Sequence, residues 1–192
     1  MPTYIILMNY TNQGIENVKD SLRLIADSTK EWDTMGGKMV HFYSVLGEFD
    51  MIAVGEAPND EVAGTFALKL SLLGGVRTQT LKAFTIKSSQ KDDPSMPTFM
   101  LFMKFTDMGV RRIKDSPGRI EEAIAGWEAM GGKLIGLYTV LGEYDLVAIG
   151  DAPSGETVVQ FILKLGSIGN VRTKTFRVFT KEEFADIINK LP

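Results

Sequence analysis

The residue with the clearest chemical potential is His41, the only histidine in a chain of 192 residues that has no cysteine. An imidazole titrates near neutral pH and can act as an acid, a base or a hydrogen-bonding group. Alternation along a strand places His41 on the same face as Met39, Tyr43 and Val45. Two interpretations stay open: a hydrogen-bonded structural histidine, or a catalytic or ligand-binding group with Tyr43 or Tyr138 beside it.

Two Gly-Glu-aromatic-Asp sequences form a second candidate site, with Gly47 and Asp50 in the first and Gly142 and Asp145 in the second. The glycine indicates a tight hairpin. A short carboxylate after such a turn commonly accepts hydrogen bonds from backbone amides, and it can also contact a ligand. We therefore expect a structural role for the aspartates or a ligand site at the hairpins.

These candidates occur in pairs because the chain repeats itself at an offset of 95 residues. Residues 2–85 and 97–180 agree at about 36 of 84 aligned positions. The two copies differ at His41, whose counterpart is Gly136. We therefore predict a void near the histidine that a small ligand could occupy. Arg77 and Arg172 are paired and begin the last strand of each copy, where they are either exposed or form an anion clamp.

The repeated unit has the hydrophobic pattern of a strand, a helix, two strands, a helix and a strand. In the first copy, the apolar positions of the first helix are Ile15, Val18, Leu22, Ile25 and Trp32, and those of the second helix are Phe66, Leu70 and Leu73; in the second copy they are Val110, Ile113, Ile120, Ile124 and Trp127, then Phe161, Leu165 and Ile168. Ser116 precedes Pro117, which suits a first helical turn, so we expect the helix to restart there with Ser116 as its cap. Glycines 36 and 131 are expected to end these helices.

This order predicts an α+β fold made of two tandem ferredoxin-like (βαββαβ) units. The units are 1–86 and 97–180, joined by a linker at 87–96 and followed by a terminal helix at 181–192. The first strand is apolar on both faces, with Ile5 and Leu7 on one and Ile6 and Met8 on the other. We therefore predict that the two sheets face each other as an intramolecular dimeric α+β barrel.

Composition removes several classes of function. The net charge of −3 provides no electrostatic footprint for nucleic acid or an anionic membrane. No apolar run is long enough to span a bilayer and no signal peptide is evident, so a cytoplasmic location is expected. One histidine and no cysteine predict no metal site, and no sequence motif indicates a cofactor.

Spaced motifs in both copies resemble the GYD domain family. They are Leu46-Gly47-Glu48-Phe49-Asp50, Ala57-Pro58 and Gly74-Gly75-Val76-Arg77-Thr78, and in the second copy Lys114-Asp115-Ser116-Pro117, Arg119, Leu141-Gly142-Glu143-Tyr144-Asp145 and Gly169-Asn170-Val171-Arg172-Thr173. The first copy has Leu22 and Leu24 in place of Pro117 and Arg119. The resemblance implies the dimeric α+β barrel fold and no particular reaction. The hairpins are also similar to the effector-binding domain of Lrp/AsnC-type regulators, which bind amino acids through such loops.

The leading functional hypothesis is a noncatalytic small-molecule-binding or regulatory protein, with its ligand between the sheets or at the hairpin loops. The alternative is a cofactor-independent enzyme of the dimeric-barrel kind, a small oxygenase, isomerase or cyclase that uses His41. A third hypothesis is an assembly module that forms homo-oligomers.

Overall fold

Both copies follow the predicted order of elements in the computed structural model, which describes residues 1–88 and 93–191. The strands are β1 (Thr3–Tyr10), β2 (Lys38–Leu46), β3 (Met51–Glu56), β4 (Val76–Ser88), β5 (Thr98–Phe105), β6 (Lys133–Leu141), β7 (Leu146–Asp151) and β8 (Val171–Thr180). The helices are α1 (Asn12–Glu16), α2 (Ser21–Thr34), α3 (Asp60–Leu72), α4 (Asp107–Arg111), α5 (Ser116–Ala129), α6 (Gly155–Ile168) and α7 (Lys181–Ile188). Residues 89–92 of the predicted linker lie outside the described residues.

The chain divides into two compact units. Unit 1 comprises residues 1–84 and 178–192, and unit 2 comprises residues 85–177. The strand order is β4-β1-β3-β2 in unit 1 and β8-β5-β7-β6 in unit 2. In unit 1, β1 pairs antiparallel with both β3 and β4, and β2 pairs antiparallel with β3. Each unit therefore has the strand order of a ferredoxin-like fold, as predicted.

The predicted long first helix is wrong in one respect, because each copy breaks it in two. Thr11 accepts a hydrogen bond from the Gly14 amide at 3.1 Å and starts α1 directly after β1, and a 3₁₀ turn at Val18–Asp20 separates α1 from α2. Ile15, Val110 and Ile113 therefore fall on exposed segments, and Leu73 and Ile168 are also exposed at the ends of α3 and α6.

Ser116 is not the helix cap that the sequence predicted. It is the first residue of α5, and Asp115 precedes it without forming a side-chain cap hydrogen bond. The break occurs at the equivalent place in unit 1, where no proline follows, so Pro117 is not its cause. The glycine prediction is confirmed, because Gly36 and Gly131 follow the C-caps of α2 and α5 with φ values of 81° and 82°.

A β-bulge in β2 changes the predicted strand alternation. The register with β3 shifts between Met39 and His41, leaving Val40 between two paired positions. One extra residue moves the preceding side chains to the other face of the sheet. His41 and Tyr43 share a face as predicted, whereas Met39 packs against the helix-covered core with Phe42. The expectation that Met39 lies beside His41 is therefore wrong.

A tryptophan fixes the first long helix of each unit to its sheet. Trp32 is fully buried and its ring lies 4.5 Å from that of Phe66 on α3. A Cβ added at Gly37 would lie 2.4 Å from the Trp32 indole nitrogen, and one at Gly55 would lie 3.3 Å from it. The indole therefore lies against two glycines because only glycine leaves room for it, which confirms the predicted core role of Trp32.

Both faces of the unit 1 sheet are buried, as the apolar pattern predicted. Ile6 and Met8 belong to the core under the helices. Ile5 and Leu7, on the other face, are 0% and 1% exposed. The predicted terminal helix is also present as α7, where Thr180 and Glu183 form a capping box. Its buried side chains Phe184 and Ile188 join the helix-covered core of unit 1.

Replacing Gly37 by alanine should destabilise the protein by about 1–3 kcal/mol, because the new methyl group overlaps the Trp32 indole. Gly64→Ala is the matched control, since it lies within α3 with no atom within 4 Å of the added carbon. That control should gain about 0.5–1 kcal/mol from the better helix propensity of alanine. Urea unfolding followed by circular dichroism measures both, and equal effects would contradict the proposed packing.

Candidate functional site

Unit 2 contains a cavity of about 410 Å³ between its sheet and the helices α5 and α6. Its walls are mainly apolar and include Leu101, Met103, Phe105, Ile120, Ala123, Trp127, Leu134, Leu137, Leu146, Phe161 and Leu165. Ligand sites in proteins commonly have this character, with apolar walls and a few polar groups that orient the ligand.

The polar groups of this cavity are concentrated on a few side chains. Arg119 donates a hydrogen bond from Nη1 to the side-chain oxygen of Asn170 at 3.3 Å, and its Nη2 is buried without a hydrogen-bond partner. Asn170 is only 6% exposed. Lys164 and Glu122 also line the cavity. A buried donor without an acceptor is costly, so this end of the cavity suits a ligand that supplies one.

The equivalent space in unit 1 is smaller, at about 160 Å³. Phe42 and Leu24 line this space. Their counterparts in unit 2 are Leu137 and Arg119. Phe184 and Ile188 from α7 add further apolar volume to the core beside it. The two copies therefore share a place for a cavity, but larger side chains and an additional helix fill most of it in unit 1.

The predicted hairpin aspartates each anchor a turn to the end of a neighbouring strand. The backbone amide of Asp50 donates to Met8 O at 3.0 Å, and its carboxylate accepts a hydrogen bond from the Tyr10 amide at 2.7 Å. Asp145 repeats this arrangement with Met103 O at 2.9 Å and the Phe105 amide at 2.8 Å. Gly47 and Gly142 lie in the same turns. Each carboxylate therefore adds one hydrogen bond between its hairpin and the end of the first strand of its unit.

His41 lies within β2 at 8% exposure, with its ring 5.8 Å from that of Tyr43 and nearly parallel to it. In unit 2, a Cβ at Gly136 would lie 2.7 Å from the Tyr138 ring, so Tyr138 occupies the space where a void was predicted. None of these four residues lines the two cavities described above. The structure therefore does not bring them together with the cavity residues.

The remaining candidates lie apart from the cavities as well. Arg77 and Arg172 are exposed near the start of β4 and β8. In residues 1–88 and 93–191, no three histidine, cysteine or acidic side chains converge as metal ligands. The helices of that part of the chain are also too short or too polar to cross a membrane.

The GYD domain matches this sequence twice, at residues 4–91 and 99–188. The chain belongs to the GYD domain family. One curated relative is the glutamine synthetase and cystathionine beta-lyase binding protein of Thermus thermophilus, which is 35% identical over 97 residues. That alignment covers 50% of the GYD chain and 99% of the relative, so the relative has the length of a single copy.

Solved structures show the fold of this GYD protein. The chlorite dismutase of Candidatus Nitrospira defluvii in complex with imidazole matches with a TM-score of 0.69 at 10% identity, over 98% of this chain and 95% of that one. A haem-binding protein of Thermus thermophilus matches with a TM-score of 0.58 at 9% identity, over 98% and 96% of the two chains. The predicted α+β fold of two ferredoxin-like units is confirmed.

Unit 1 of the GYD chain also contains a polar cluster that the sequence did not predict. Tyr4 donates to Asp60 at 2.5 Å, and Lys82 donates to both oxygens of the same carboxylate at 2.8 and 3.0 Å. Burial, followed by the hydrogen bond to Asp60, raises the pKa of Tyr4 to about 12. Hydrogen bonds from Lys82 and then Tyr4 lower the pKa of Asp60. In unit 2 the counterparts are Phe99, Gly155 and Arg177, and the guanidinium carbon lies 5.7 Å from the centre of the phenylalanine ring.

The cavity residues Arg119, Lys164 and Asn170 were not predicted as site residues. Their signal in the sequence is the difference between copies, since Leu24 and Gly75 stand at the positions of Arg119 and Asn170. That signal cannot be read without the structure, because many exposed positions also differ between the copies.

Asp50→Ala and Asp145→Ala should each destabilise this GYD protein by about 1.5–3 kcal/mol, because each change removes a hydrogen bond between a carboxylate and a backbone amide. Asp33→Ala is the control, since Asp33 is exposed near the end of α2, and its effect should be near zero. Urea unfolding measures the three variants. A cost for Asp50→Ala no larger than that of Asp33→Ala would contradict the anchoring role.

Proposed function

We propose that this GYD protein is a noncatalytic binding module that takes a small molecule into the cavity of unit 2. The observation that carries the proposal is the cavity of about 410 Å³ with apolar walls and a buried, unpartnered guanidinium nitrogen of Arg119. The equivalent space of unit 1, at about 160 Å³, is below the usual size of a ligand site, which is roughly 300–1,000 Å³. The two copies would therefore have different roles.

A binding role agrees with the name of the curated relative, which describes that protein by the enzymes it binds. A small-molecule ligand would let such a module report a metabolic state to a partner protein. Binding here needs no reacting group, and the cavity walls contain neither histidine nor tyrosine. The hairpins are less suited to a ligand, since the carboxylates of Asp50 and Asp145 already accept backbone hydrogen bonds.

Haem does not fit the residues of this cavity. Haem iron is held in proteins by histidine, cysteine, tyrosine or methionine. Met103 is the one side chain of these types in the cavity walls, and a lone methionine is a poor basis for a haem site. The only histidine of the chain, His41, belongs to unit 1 and lines neither cavity. We therefore assign no haem to this cavity, although the matched Thermus protein binds haem.

Ala123→Phe should abolish binding of a small probe that has aromatic rings and a sulfonate group, because Ala123 lines the cavity and the larger ring would occupy its space. The matched control is Ser28→Phe, which makes the equivalent change beside the smaller cavity of unit 1. The probe is 1-anilinonaphthalene-8-sulfonate, with binding measured by fluorescence titration. The control should keep the affinity of the wild-type protein.

Circular dichroism on both variants separates loss of binding from loss of folding. If Ala123→Phe remains folded and binds the probe as tightly as the control, the cavity is not the binding site and the proposed function is wrong.

A second candidate function is direct binding of a protein partner. It is favoured by large apolar side chains that are exposed to solvent on α3 and α6. Leu68 and Leu72 on α3 are 68% and 85% exposed, and Leu163 on α6, the counterpart of Leu68, is 67% exposed. Exposed apolar residues recurring at one place in both copies are typical of an interaction surface. Under this proposal, the partners are enzymes of the kinds named for the relative.

The double variant Leu68→Glu with Leu163→Glu should weaken binding of glutamine synthetase or cystathionine beta-lyase at least tenfold, because it places charges in an apolar contact. The control is Gln160→Glu, which adds a negative charge to an exposed position of α6 without removing an apolar side chain. Biolayer interferometry with the purified enzymes measures the effect. Equal binding by the double variant and the control would exclude these helices as the contact surface.

A further inference from the structure

The polar end of the unit 2 cavity defines the chemical class of its ligand, an inference that rests on the proposed function. We infer that the ligand has an apolar body and an oxyanion head group, such as a carboxylate or a phosphate, which Arg119 binds, while Lys164 adds positive charge to the cavity wall. The apolar body would contact the aliphatic and aromatic walls of the cavity. The argument depends on the partners of the two cations and on the comparison between copies.

Arg119 has unused donor capacity at the cavity. Its Nη1 hydrogen bond to Asn170 is long, at 3.3 Å, and its buried Nη2 has no partner. Neither nitrogen has a carboxylate within 4.0 Å among the described residues. A guanidinium presents its two terminal nitrogens in a planar arrangement that matches the two oxygens of a carboxylate or phosphate. A ligand oxyanion would satisfy the buried donor and balance the charge.

Lys164 has lost the carboxylate that its counterpart has in unit 1. There, Lys69 forms an ion pair with Glu31 at 2.6 Å. The position of Glu31 is occupied in unit 2 by Gly126, and a Cβ at that glycine would lie 3.6 Å from the Lys164 ammonium nitrogen. Lys164 therefore lies beside the place where the carboxylate is missing. Lys69 and Glu31 are 46% and 41% exposed and Lys164 is exposed too, so Lys164 contributes solvated positive charge to the cavity wall.

The other charged residues of the cavity wall do not cancel the positive charge of Arg119 and Lys164. Arg112 lines the cavity but lies 3.5 Å from Asp115, which balances it. Glu122 is the carboxylate among the lining residues, and it lies more than 4.0 Å from the charged nitrogens of Arg119 and Lys164. The lining thus has three cations, at positions 112, 119 and 164, against one carboxylate. An anionic head group is the ligand chemistry that this charge distribution favours.

The test compares octanoate and octyl phosphate with 1-octanol, which has the same apolar chain and no charge. Isothermal titration calorimetry should show one site that prefers the two anions to the alcohol. Arg119→Leu introduces the residue that unit 1 has, and it should weaken binding of the anions by about tenfold to a hundredfold, the range expected for a charge-assisted hydrogen bond. Binding of 1-octanol should not change. The ratio between octanoate and octyl phosphate identifies the preferred head group.

Two further variants make the test independent of folding defects. Gly126→Glu restores the carboxylate that unit 1 has and should also weaken binding of the anions selectively. Arg111→Leu removes one positive charge from the exposed end of α4, outside the cavity walls, and should leave all affinities unchanged. If the wild-type protein binds 1-octanol as tightly as the anions, the ligand class is wrong while the cavity site stands. If it binds none of the three probes, both proposals are wrong.

Discussion

The contact between a tryptophan and the glycines beneath it is the constraint on which each unit depends. In unit 2, a Cβ at Gly132 would lie 2.3 Å from the Trp127 indole and one at Gly150 would lie 3.1 Å from it. The indole occupies the space that a side chain at either glycine would fill. This contact holds α5 at one place over the sheet. Trp127 is also a wall of the cavity. The packing that secures the helix therefore also fixes one side of the space beside it, and this arrangement recurs in unit 1 around Trp32.

Duplication allows this scaffold to take two different interiors. In unit 1, Phe42 and the α7 side chains fill the core, the Lys69 charge is paired with Glu31, and Tyr4 joins a polar cluster. In unit 2, the smaller Leu137 leaves space, and Arg119 has a buried nitrogen at the cavity that lacks a hydrogen-bond partner. Unsatisfied groups of this kind reduce stability, and proteins commonly retain them where a ligand is bound. Unit 1 thus has a well-packed core, whereas unit 2 has the features of a binding site.

The sequence predicted most of the fold because periodicity and glycine placement are local signals. Ile5 and Ile6 alternate between two buried faces as expected, and the terminal capping box forms at Thr180 and Glu183. The errors concern features that depend on hydrogen bonds between distant segments. The bulge before His41 is set by pairing with β3, and Asp50 reaches the Tyr10 amide across 40 residues. The candidate site was missed for the same reason, since a cavity depends on the volumes of residues that meet only after folding.

The terminal helix α7 has a consequence for the order in which the protein is made. Unit 2 is one continuous stretch, whereas unit 1 combines residues 1–84 with residues 178–192. During synthesis from the amino end, the first segment emerges early, but Phe184 and Ile188 are translated after the whole of unit 2. Because domains generally fold as units while the chain is being made, unit 2 can complete its core before unit 1 can. The ribosome therefore completes unit 2, with its cavity, before it supplies the segment that completes the core of unit 1.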